Sequence, residues 1–357
     1  MKTGIVLEGG AMRGMFTAGI LDVWMDQGIS FDTAVGVSAG ATFGINLKSH
    51  QIGRTLRYNK KYCKDKRYGG LWSLIKTGDI YNAKFDYDDI PNRLDPYDVA
   101  AHRDNSMDFW VVTTDVDTGL PVYKRLDKGD GEDITWLRAS ASMPGVSNVV
   151  HCTGEAYEGK LPFIEAEPAK KGRYIKLKRP VYTGDKACTN QAIKQYEGGS
   201  CTDNTEIMAE ADRLLTESGY NKMDCDGHGF LDGGMSDSVP IKFIEDLGCD
   251  KIVVICTQPY GYRKKKNGMM PILKHLLKSY PELINTMSHR HLMYNATMEY
   301  LDSCAEREPD RIRVIRPEAA LNIKKVVHDP KEIQRVYDIG YAEGLKRVGE
   351  IRRFLDK

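Results

Sequence analysis

Two apolar runs near the start of the chain each end in a glycine-rich turn. Residues 5–7 precede the turn at 9–14, and residues 33–35 precede the turn at 36–40. Apolar residues at helical spacing follow the first turn, and a second helical pattern begins after the other. The stretch from residue 4 to residue 44 is therefore predicted to form two successive strand–turn–helix units.

Later apolar runs extend this alternation of strands and helices along the chain. Strands are predicted at residues 109–114, 120–123, 251–256 and 311–316, the first two forming a hairpin with Asp-Thr-Gly near its turn. Helices are predicted at residues 135–143, 271–307 and 330–355. Ser140 and Ser142, in the first of these helices, are interpreted as packing and capping groups.

The segment 152–224 differs in composition from the chain around it, because it is rich in Lys, Gly, Glu and Asp. A helical pattern that begins near Asp203 and a weakly alternating stretch at 173–182 suggest that it has some structure of its own. The segment is predicted to be a small inserted subdomain.

Composition and charge limit the classes of function that the protein can have. The 357 residues carry a net charge of +1, which gives no general reason to expect nucleic acid as a partner. No apolar run approaches the length that spans a bilayer, and the chain begins almost directly with strand residues. A cytoplasmic protein, with peripheral membrane contact as an addition, is the expectation.

The eight cysteines include no C-x-x-C pair. Four of them, Cys152, Cys188, Cys201 and Cys225, lie in one region of the sequence. Buried free thiols are the favoured interpretation, and a zinc site completed by His228 is the alternative.

The turn at residues 36–40 has the sequence Gly-Val-Ser-Ala-Gly, the form of a nucleophile elbow. Ser38 would lie on a strained turn between strand and helix, where only small neighbours such as Gly36 and Gly40 fit. This pentapeptide alone is a weak signal, since glycine-rich turns also serve simple packing.

The turn at residues 9–14 supplies a second set of exposed backbone N–H groups at a helix start. Its candidate oxyanion-hole residues are Gly9, Gly10, Ala11, Arg13 and Gly14. A nucleotide-binding loop is the alternative, but it requires G-x-G-x-x-G and an acidic residue near Gly36, or a Gly-Lys-Ser/Thr sequence. The chain has neither pattern at these positions.

A serine nucleophile needs a base, and the sequence offers two arrangements. Asp232, followed by Gly233 and Gly234, ends a predicted strand and could accept the serine proton directly. The alternative is a triad of Ser38, Asp232 and His328. The elbow comes early in the chain and His328 precedes a helix start, and both features oppose the triad.

The loop after the strand at 251–256 combines aromatic, basic and apolar side chains. Its functional interpretation is contact with an anionic lipid surface, and its alternative is an ordinary solvated loop. The residues concerned are Tyr260, Tyr262, Arg263, Lys264, Lys265, Lys266, Met269 and Met270.

Three motifs in this order, residues 8–14, 36–40 and 232–234, resemble the signatures of the bacterial patatin-like phospholipases. The resemblance covers nearly the whole chain except the inserted segment. It implies an α/β fold, a three-layer α/β/α sandwich with a mainly parallel central sheet, to which the small subdomain is added. It also implies one domain over residues 1–357, with the helical part at 271–357 packed on the core.

By the same resemblance, Ser38 is the nucleophile, Asp232 its base, and residues 9–14 the oxyanion hole. Arg13 would hold that loop or a lipid phosphate. The family hydrolyses acyl esters of phospholipids, lysophospholipids or neutral lipids, and needs neither calcium nor an organic cofactor. A catalytically idle or scaffolding protein and a transacylase on the same fold are the alternatives.

Two departures from the family pattern bear on the site. Ala11 stands where the family often has glycine, which adds a methyl group but keeps the N–H. The insertion at 152–224 enters next to Asp232 in sequence, so it is predicted to cover or border the mouth of the site.

Overall fold

The computed structural model describes residues 1–168, 175–180 and 204–356. Its strands are β1 (Thr3–Leu7), β2 (Thr33–Val37), β3 (Asp108–Asp115), β4 (Pro121–Arg125), β5 (Val150–His151), β6 (Glu155–Glu158), β7 (Ile164–Pro168), β8 (Ile175–Pro180), β9 (Asn221–Asp224), β10 (Gly229–Asp232), β11 (Lys251–Ile255) and β12 (Ile312–Ile315). Its α-helices are α1 (Gly14–Asp26), α2 (Ala39–Lys48), α3 (Arg54–Tyr62), α4 (Leu71–Thr77), α5 (Val99–Asp104), α6 (Glu132–Ala141), α7 (Asn204–Glu217), α8 (Ile241–Asp246), α9 (Met270–Leu276), α10 (Pro281–Arg307) and α11 (Pro330–Asp356). Short 3₁₀ turns lie at Ala11–Arg13 and Gly233–Met235, and a π-helix lies at Phe85–Leu94.

The central sheet is mostly parallel. Its strands β12, β11, β1, β2 and β3 lie side by side in that order and run in one direction. Antiparallel strands β4, β6 and β9 extend the sheet beyond β3. The predicted hairpin is the β3–β4 pair, and the strands predicted at 251–256 and 311–316 are β11 and β12.

Both faces of the sheet are covered by helices, as its apolar strands require. On β1, Ile5 and Leu7 lie in one core, which includes residues of α1, α2, α6 and α11, while Val6 lies in a second core with residues of α8 and α10. Side chains alternate between the two faces because the repeat of a strand is two residues. The predicted three-layer α/β/α fold is confirmed.

Strand β3 brings two distant parts of the chain end to end. Strand β2 pairs with its first half, ending with Val37 opposite Val112. Strand β10 runs antiparallel along the second half of β3, on the same side as β2. It ends with Asp232 opposite Thr113. Since Val112 and Thr113 are consecutive, the carboxyl ends of β2 and β10 meet.

The last helix lies directly against the first. A Cβ atom on Gly340 would be 1.9 Å from the carbonyl oxygen of Phe16, and one on Gly19 would be 2.3 Å from that of Tyr337. Side chains larger than hydrogen would therefore force α1 and α11 apart. Among the helices that the structure describes, none combines the length and apolarity needed to cross a bilayer.

The ends of the segment 152–224 belong to the main sheet, because β6 and β9 pair with each other and β6 pairs with β4. Strands β7 and β8 form a separate two-stranded sheet, and β8 includes the described part of the stretch at 173–182. Ala211 and Leu215 of α7 pack into the core on the α8 side. The division of the chain into a core, an insertion and a helical part stays a prediction.

Candidate active site

Ser38 lies between β2 and α2 with a φ angle of 54°, in the left-handed region that non-glycine residues rarely adopt. Its neighbours are small for steric reasons. A Cβ atom on Gly40 would be 2.2 Å from the carbonyl oxygen of Leu7, and one on Gly36 would be 2.6 Å from Cα of Ala41. The strand–turn–helix unit therefore requires glycine at both positions, as the sequence pattern predicts.

The Ser38 hydroxyl donates a hydrogen bond to Oδ2 of Asp232 at 2.8 Å. The other carboxylate oxygen of Asp232 accepts the backbone N–H of Gly234 at 2.7 Å. A Cβ atom on Gly233 would be 2.2 Å from the carbonyl oxygen of Val112, so the turn after β10 lies tightly against β3. Both side chains of the pair are buried.

Burial raises the pKa of Asp232 above its ordinary value, because water no longer solvates the charged form. The positive charge of Arg290 opposes this increase, as do the hydrogen bonds from Ser38 and Gly234. A carboxylate in this environment is a stronger base than one in water.

His328 lies elsewhere. Its Nδ1 atom is 2.6 Å from the carbonyl oxygen of Cys63, and its ring borders Gly70. Since the Ser38 hydroxyl bonds directly to Asp232, no imidazole lies between them. The hydrogen bond from Ser38 to Asp232 therefore favours the direct arrangement over the triad with His328.

The loop at residues 9–14 packs directly over the elbow. A Cβ atom on Gly9 would be 2.9 Å from Cβ of Ser38, and one on Gly14 would be 2.9 Å from Cβ of Ala39. Ala11 has a φ angle of 49°, a backbone conformation that glycine adopts more easily than alanine does. None of the hydrogen bonds in the described chain uses the backbone N–H of Gly10 or Ala11.

Ser140 holds the backbone of the elbow in place. Its hydroxyl accepts the N–H of Ser38 at 2.9 Å and donates to the carbonyl oxygen of Val112 at 2.6 Å. The carbonyl oxygen of Ser142 accepts the N–H of Asp232 at 2.8 Å. The sequence analysis assigned both serines to packing and capping, and only the proximity of α6 to the sheet could have shown these contacts.

Three half-buried cationic side chains surround the pair. Arg290 donates through Nε to the carbonyl oxygen of Gly234, next to Asp232. Arg13 donates through Nε to Oγ1 of Thr257 at 3.3 Å. The ammonium group of Lys264 lies 3.8 Å from the ring centroid of Tyr294.

These cations lack a full set of counter-ions. In the part of the chain that the structure describes, no ion pair includes Arg13, Lys264 or Arg290. Burial lowers the pKa of Lys264 well below its ordinary value, and the charges of Arg290 and Arg13 add to the effect, whereas Glu8 and Asp232 oppose it. The carboxylate of Glu8 is itself bound by the hydroxyl of Tyr294 at 2.9 Å. The surroundings of Ser38 therefore favour an anion.

The structure corrects part of the predicted lipid-contact loop. Lys264 and Tyr262 are half-buried against Tyr294, with the two tyrosine rings 6.0 Å apart, and Met270 is buried. The exposed members are Tyr260, Arg263, Lys265, Lys266 and Met269. The sequence pattern could not separate these groups, because the inward side chains are fixed by α10.

A cavity of about 120 Å³ opens beside Ser38. Its apolar lining includes Met12, Phe43, Ile45, Ile90, Leu137 and Met143. The π-helix at Phe85–Leu94 forms part of its wall, and the sequence analysis predicted no such element. No described residue between 152 and 224 lines this cavity. The rest of that segment, with Cys188 and Cys201, lies outside the described residues, so its role as a lid stays a prediction.

Cys152 and Cys225 are buried free thiols, and burial raises the pKa of Cys225 to about 12. The ring of His228 bonds through Nδ1 to the carboxylate of Asp115 at 2.7 Å. Within the described ranges, no cluster of His, Cys, Asp and Glu has the geometry to hold a metal ion.

Comparison with known proteins finds two family models. Residues 5–165 match the patatin-like phospholipases, and residues 280–356 match a domain of unknown function (DUF6363). The second region contains α10, β12 and α11, and β12 is a strand of the central sheet. The uncharacterized protein YjjU of Escherichia coli (strain K12) is 20% identical over 317 residues, covering 88% of this chain and 67% of that protein. Residues 5–165, which contain both glycine-rich turns, are therefore similar to the patatin-like phospholipases, a family of lipid acyl hydrolases.

Proposed function

We propose that the protein hydrolyses acyl esters of lipids, with Ser38 as nucleophile and Asp232 as its base. The observation that carries the proposal is the 2.8 Å hydrogen bond from the Ser38 hydroxyl to Asp232, at the mouth of an apolar cavity. The hydroxyl is positioned to react, and the cavity offers a place for a hydrocarbon chain.

In the first step, Oγ of Ser38 attacks the ester carbonyl carbon while its proton moves to Oδ2 of Asp232. The carbonyl oxygen becomes an oxyanion, which the N–H groups of Gly10 and Ala11 would stabilise. When the tetrahedral intermediate collapses, the bond to the alcohol oxygen breaks. That oxygen takes the proton from Asp232, and the acyl group stays on Ser38.

In the second step, a water molecule attacks the acyl carbon and gives one proton to Asp232. The bond between the acyl carbon and Oγ breaks, Oγ recovers that proton, and the fatty acid leaves. Each cycle consumes one ester and one water, and releases one alcohol and one fatty acid. Asp232 ends the cycle ionised, as it began.

The cationic side chains divide the site into two sides. Arg13, Lys264 and Arg290 lie near Ser38 but do not line the apolar cavity. A lipid phosphate would be attracted to these charges, while the acyl chain would enter the cavity. This division favours a phospholipid or lysophospholipid over a neutral lipid.

The proposal includes peripheral contact with a membrane near the cavity. Leu71 and Ile75 of α4 are 70% and 73% exposed, and Ile272 and Leu276 of α9 are 56% and 57% exposed. The loop at 143–148 lies between the two helices, since Ile80 donates to the carbonyl oxygen of Val146 at 2.8 Å and a Cβ atom on Gly145 would be 2.6 Å from Leu273. Apolar side chains at this location can insert into a lipid surface.

Co-sedimentation with phosphatidylglycerol vesicles tests this contact. Ile75→Ser and Ile272→Ser should each weaken binding, whereas Leu345→Ser, an exposed leucine on α11, should not. Equal binding by all four proteins would remove the proposed membrane face.

Hydrolysis of a p-nitrophenyl acyl ester and of lysophospholipids tests the dyad. Ser38→Ala and Asp232→Asn should each lower kcat/KM about 10³-fold or more. The exposed-site variants Ser218→Ala and Asp226→Asn should keep wild-type activity. Activity retained in Ser38→Ala or Asp232→Asn would rule the dyad out.

A fluorophosphonate probe separates this function from an idle or scaffolding role. Ser38 should be labelled in the wild-type protein, and labelling should disappear in Ser38→Ala. An unlabelled wild-type protein would favour the scaffold. Analysis of the products with an added alcohol distinguishes hydrolysis from acyl transfer.

A further inference from the structure

Asp86 is a carboxylic acid inside the apolar cavity that opens at Ser38. It lies on the π-helix that forms part of the cavity wall. Both carboxyl oxygens are buried, and neither has a hydrogen-bond partner in the part of the chain that the structure describes. The backbone of Asn82 approaches the carboxyl group and favours its charged form, but the effect of burial is larger.

Among the described residues, Asp86 has no ion pair that compensates for its burial. Burial raises the pKa of Asp86 well above its ordinary value, and the only charged group that perturbs it is another carboxylate, Asp65. Burial therefore favours the protonated form, which offers one O–H donor and one carbonyl acceptor to the cavity.

Tyrosines surround this carboxyl group but do not satisfy it. Tyr68 donates its hydroxyl to Asn59 at 2.5 Å, and Tyr81 donates to the carbonyl oxygen of Lys325 at 2.7 Å. Tyr58 and Tyr87 also line the cavity, and burial raises the pKa of Tyr87. Arg54, His102 and Asp133 also line the cavity, but each has hydrogen-bond partners within the protein, whereas the carboxyl oxygens of Asp86 have none in the described chain.

Folded proteins seldom leave a buried polar group without a partner, because the lost hydrogen bonds to water are not replaced. A ligand that brings a complementary group into the cavity removes this cost. The cavity begins at the nucleophile, and the cations that would hold a phosphate do not line it. Its ligand is therefore the acyl part of the substrate.

We propose that the cavity selects fatty acyl chains that carry a hydroxyl group, and that Asp86 binds this hydroxyl. A chain hydroxyl both donates and accepts, so one such group completes both bonds of a protonated carboxylic acid. The inference rests on the proposed ester hydrolysis for its substrate, but the cavity and its polar group can be tested without catalysis.

The first experiment compares p-nitrophenyl decanoate with esters whose chains carry a hydroxyl at successive positions. The wild-type protein should prefer one hydroxylated ester to the plain one by about tenfold or more in kcat/KM, which is the usual effect of satisfying a buried polar group. In Asp86→Leu that preference should disappear. Asp88→Leu, an exposed acid on the same helix, is the matched control.

Asp86→Asn provides a second variant, since an amide keeps a donor and an acceptor at the same place. It should retain the preference for the hydroxylated chain. Loss of preference in this variant as well, together with a requirement for a choline head group, would mean that the carboxylate binds a cation, and would overturn the proposal.

Calorimetric binding of the free acids to the Ser38→Ala protein separates this inference from the proposed reaction. The favoured hydroxydecanoic acid should bind about tenfold more tightly than decanoic acid, and Asp86→Leu should remove the difference. If no ester is hydrolysed but this binding difference holds, the catalytic proposal fails and the cavity proposal stands. Equal binding of all the acids would overturn the cavity proposal.

Discussion

The hydroxyl of Ser140 accepts the backbone N–H of Ser38 at 2.9 Å. Ser38 has a positive φ angle, so this bond helps to hold a conformation that its own side chain disfavours. The same hydroxyl donates to Val112, the residue of β3 opposite the end of β2. One side chain from α6 thus fixes the nucleophile relative to the sheet.

Ser140→Ala should lower kcat and reduce stability together. Its loss leaves a buried N–H and a buried carbonyl group each without this partner, which costs about 1–3 kcal/mol. Displacement of the elbow should lower kcat on a p-nitrophenyl ester by about tenfold or more with little change in KM. Steady-state kinetics and urea denaturation measure the two effects.

Ser142→Ala is the matched control, because the Ser142 hydroxyl only donates to the carbonyl oxygen of Arg138 within α6. Asp232 is bound by the backbone of Ser142, which this variant keeps. It should retain wild-type kinetics. If Ser140→Ala behaved like the control, Ser140 would have no positioning role.

The fold could be predicted from the sequence because its signals are local. Apolar runs that end in glycine turns identified β1 and β2, and helical spacing identified α10 and α11. Ser38 and Asp232 could be named as partners because each ends a strand in a recognisable motif. Their contact depends on β3, which the sequence predicts as a strand without showing its neighbours.

The remaining site residues could not be predicted, because their roles depend on contacts between distant elements. In the sequence, Lys264 is one of four consecutive basic residues. In the structure, its ammonium group lies over the ring of Tyr294 on α10, near the site. Arg290 lies on an unremarkable helix and reaches Gly234 only through packing. Asp86 is one of three acids in a polar stretch of the sequence, and it is buried because its π-helix forms part of the cavity wall.

Gly9→Ala should almost abolish activity. The added Cβ atom would lie 2.8 Å from the carbonyl oxygen of Val37 and 2.9 Å from Cβ of Ser38, so the loop must move away from the nucleophile. A displacement of about 1 Å between a nucleophile and its oxyanion donors can lower the rate about 100-fold. The kcat of the purified variant on a p-nitrophenyl ester measures this loss.

Gly268→Ala is the control for that substitution, since no heavy atom lies within 4 Å of its added Cβ position. It should leave kcat unchanged. Wild-type activity in Gly9→Ala would mean that the loop adjusts without cost, and that its backbone does not form the oxyanion site.

Arg290→Gln should shift the acidic limb of the pH–rate profile to higher pH. Activity requires ionised Asp232, and burial raises the pKa of this group while the charge of Arg290 lowers it. Removing the charge therefore raises the pKa further, whereas glutamine can still donate to Gly234. The measurement is kcat/KM on an uncharged ester between pH 4 and pH 9.

The exposed-site variant Lys278→Gln should keep the acidic limb of the pH–rate profile at its wild-type pH. A lower plateau in Arg290→Gln without movement of the limb would show that Arg290 acts on substrate binding alone. The position of the limb thus separates an electrostatic effect on the base from a contact with the lipid.

Asp237→Asn should change how stability depends on pH. Burial raises the pKa of Asp237 to about 6, although a hydrogen bond from Tyr123 at 2.8 Å opposes the increase. The unfolded chain releases this proton near pH 3.9 and the folded chain only near pH 6, so Asp237 makes the protein less stable as pH rises through this window. The loss is about 3 kcal/mol in total, at 1.36 kcal/mol per pKa unit.

Asparagine resembles the neutral acid and does not ionise. Relative to the wild type, the variant should therefore gain stability between pH 4 and pH 6 and keep that gain at higher pH, as measured by urea denaturation at each pH. Tyr123→Phe removes the bond that favours the charged form, so it should extend the wild-type loss to higher pH. Parallel stability curves for Asp237→Asn and the wild type would mean that Asp237 titrates alike in the folded and unfolded chains, and that its burial has no electrostatic cost.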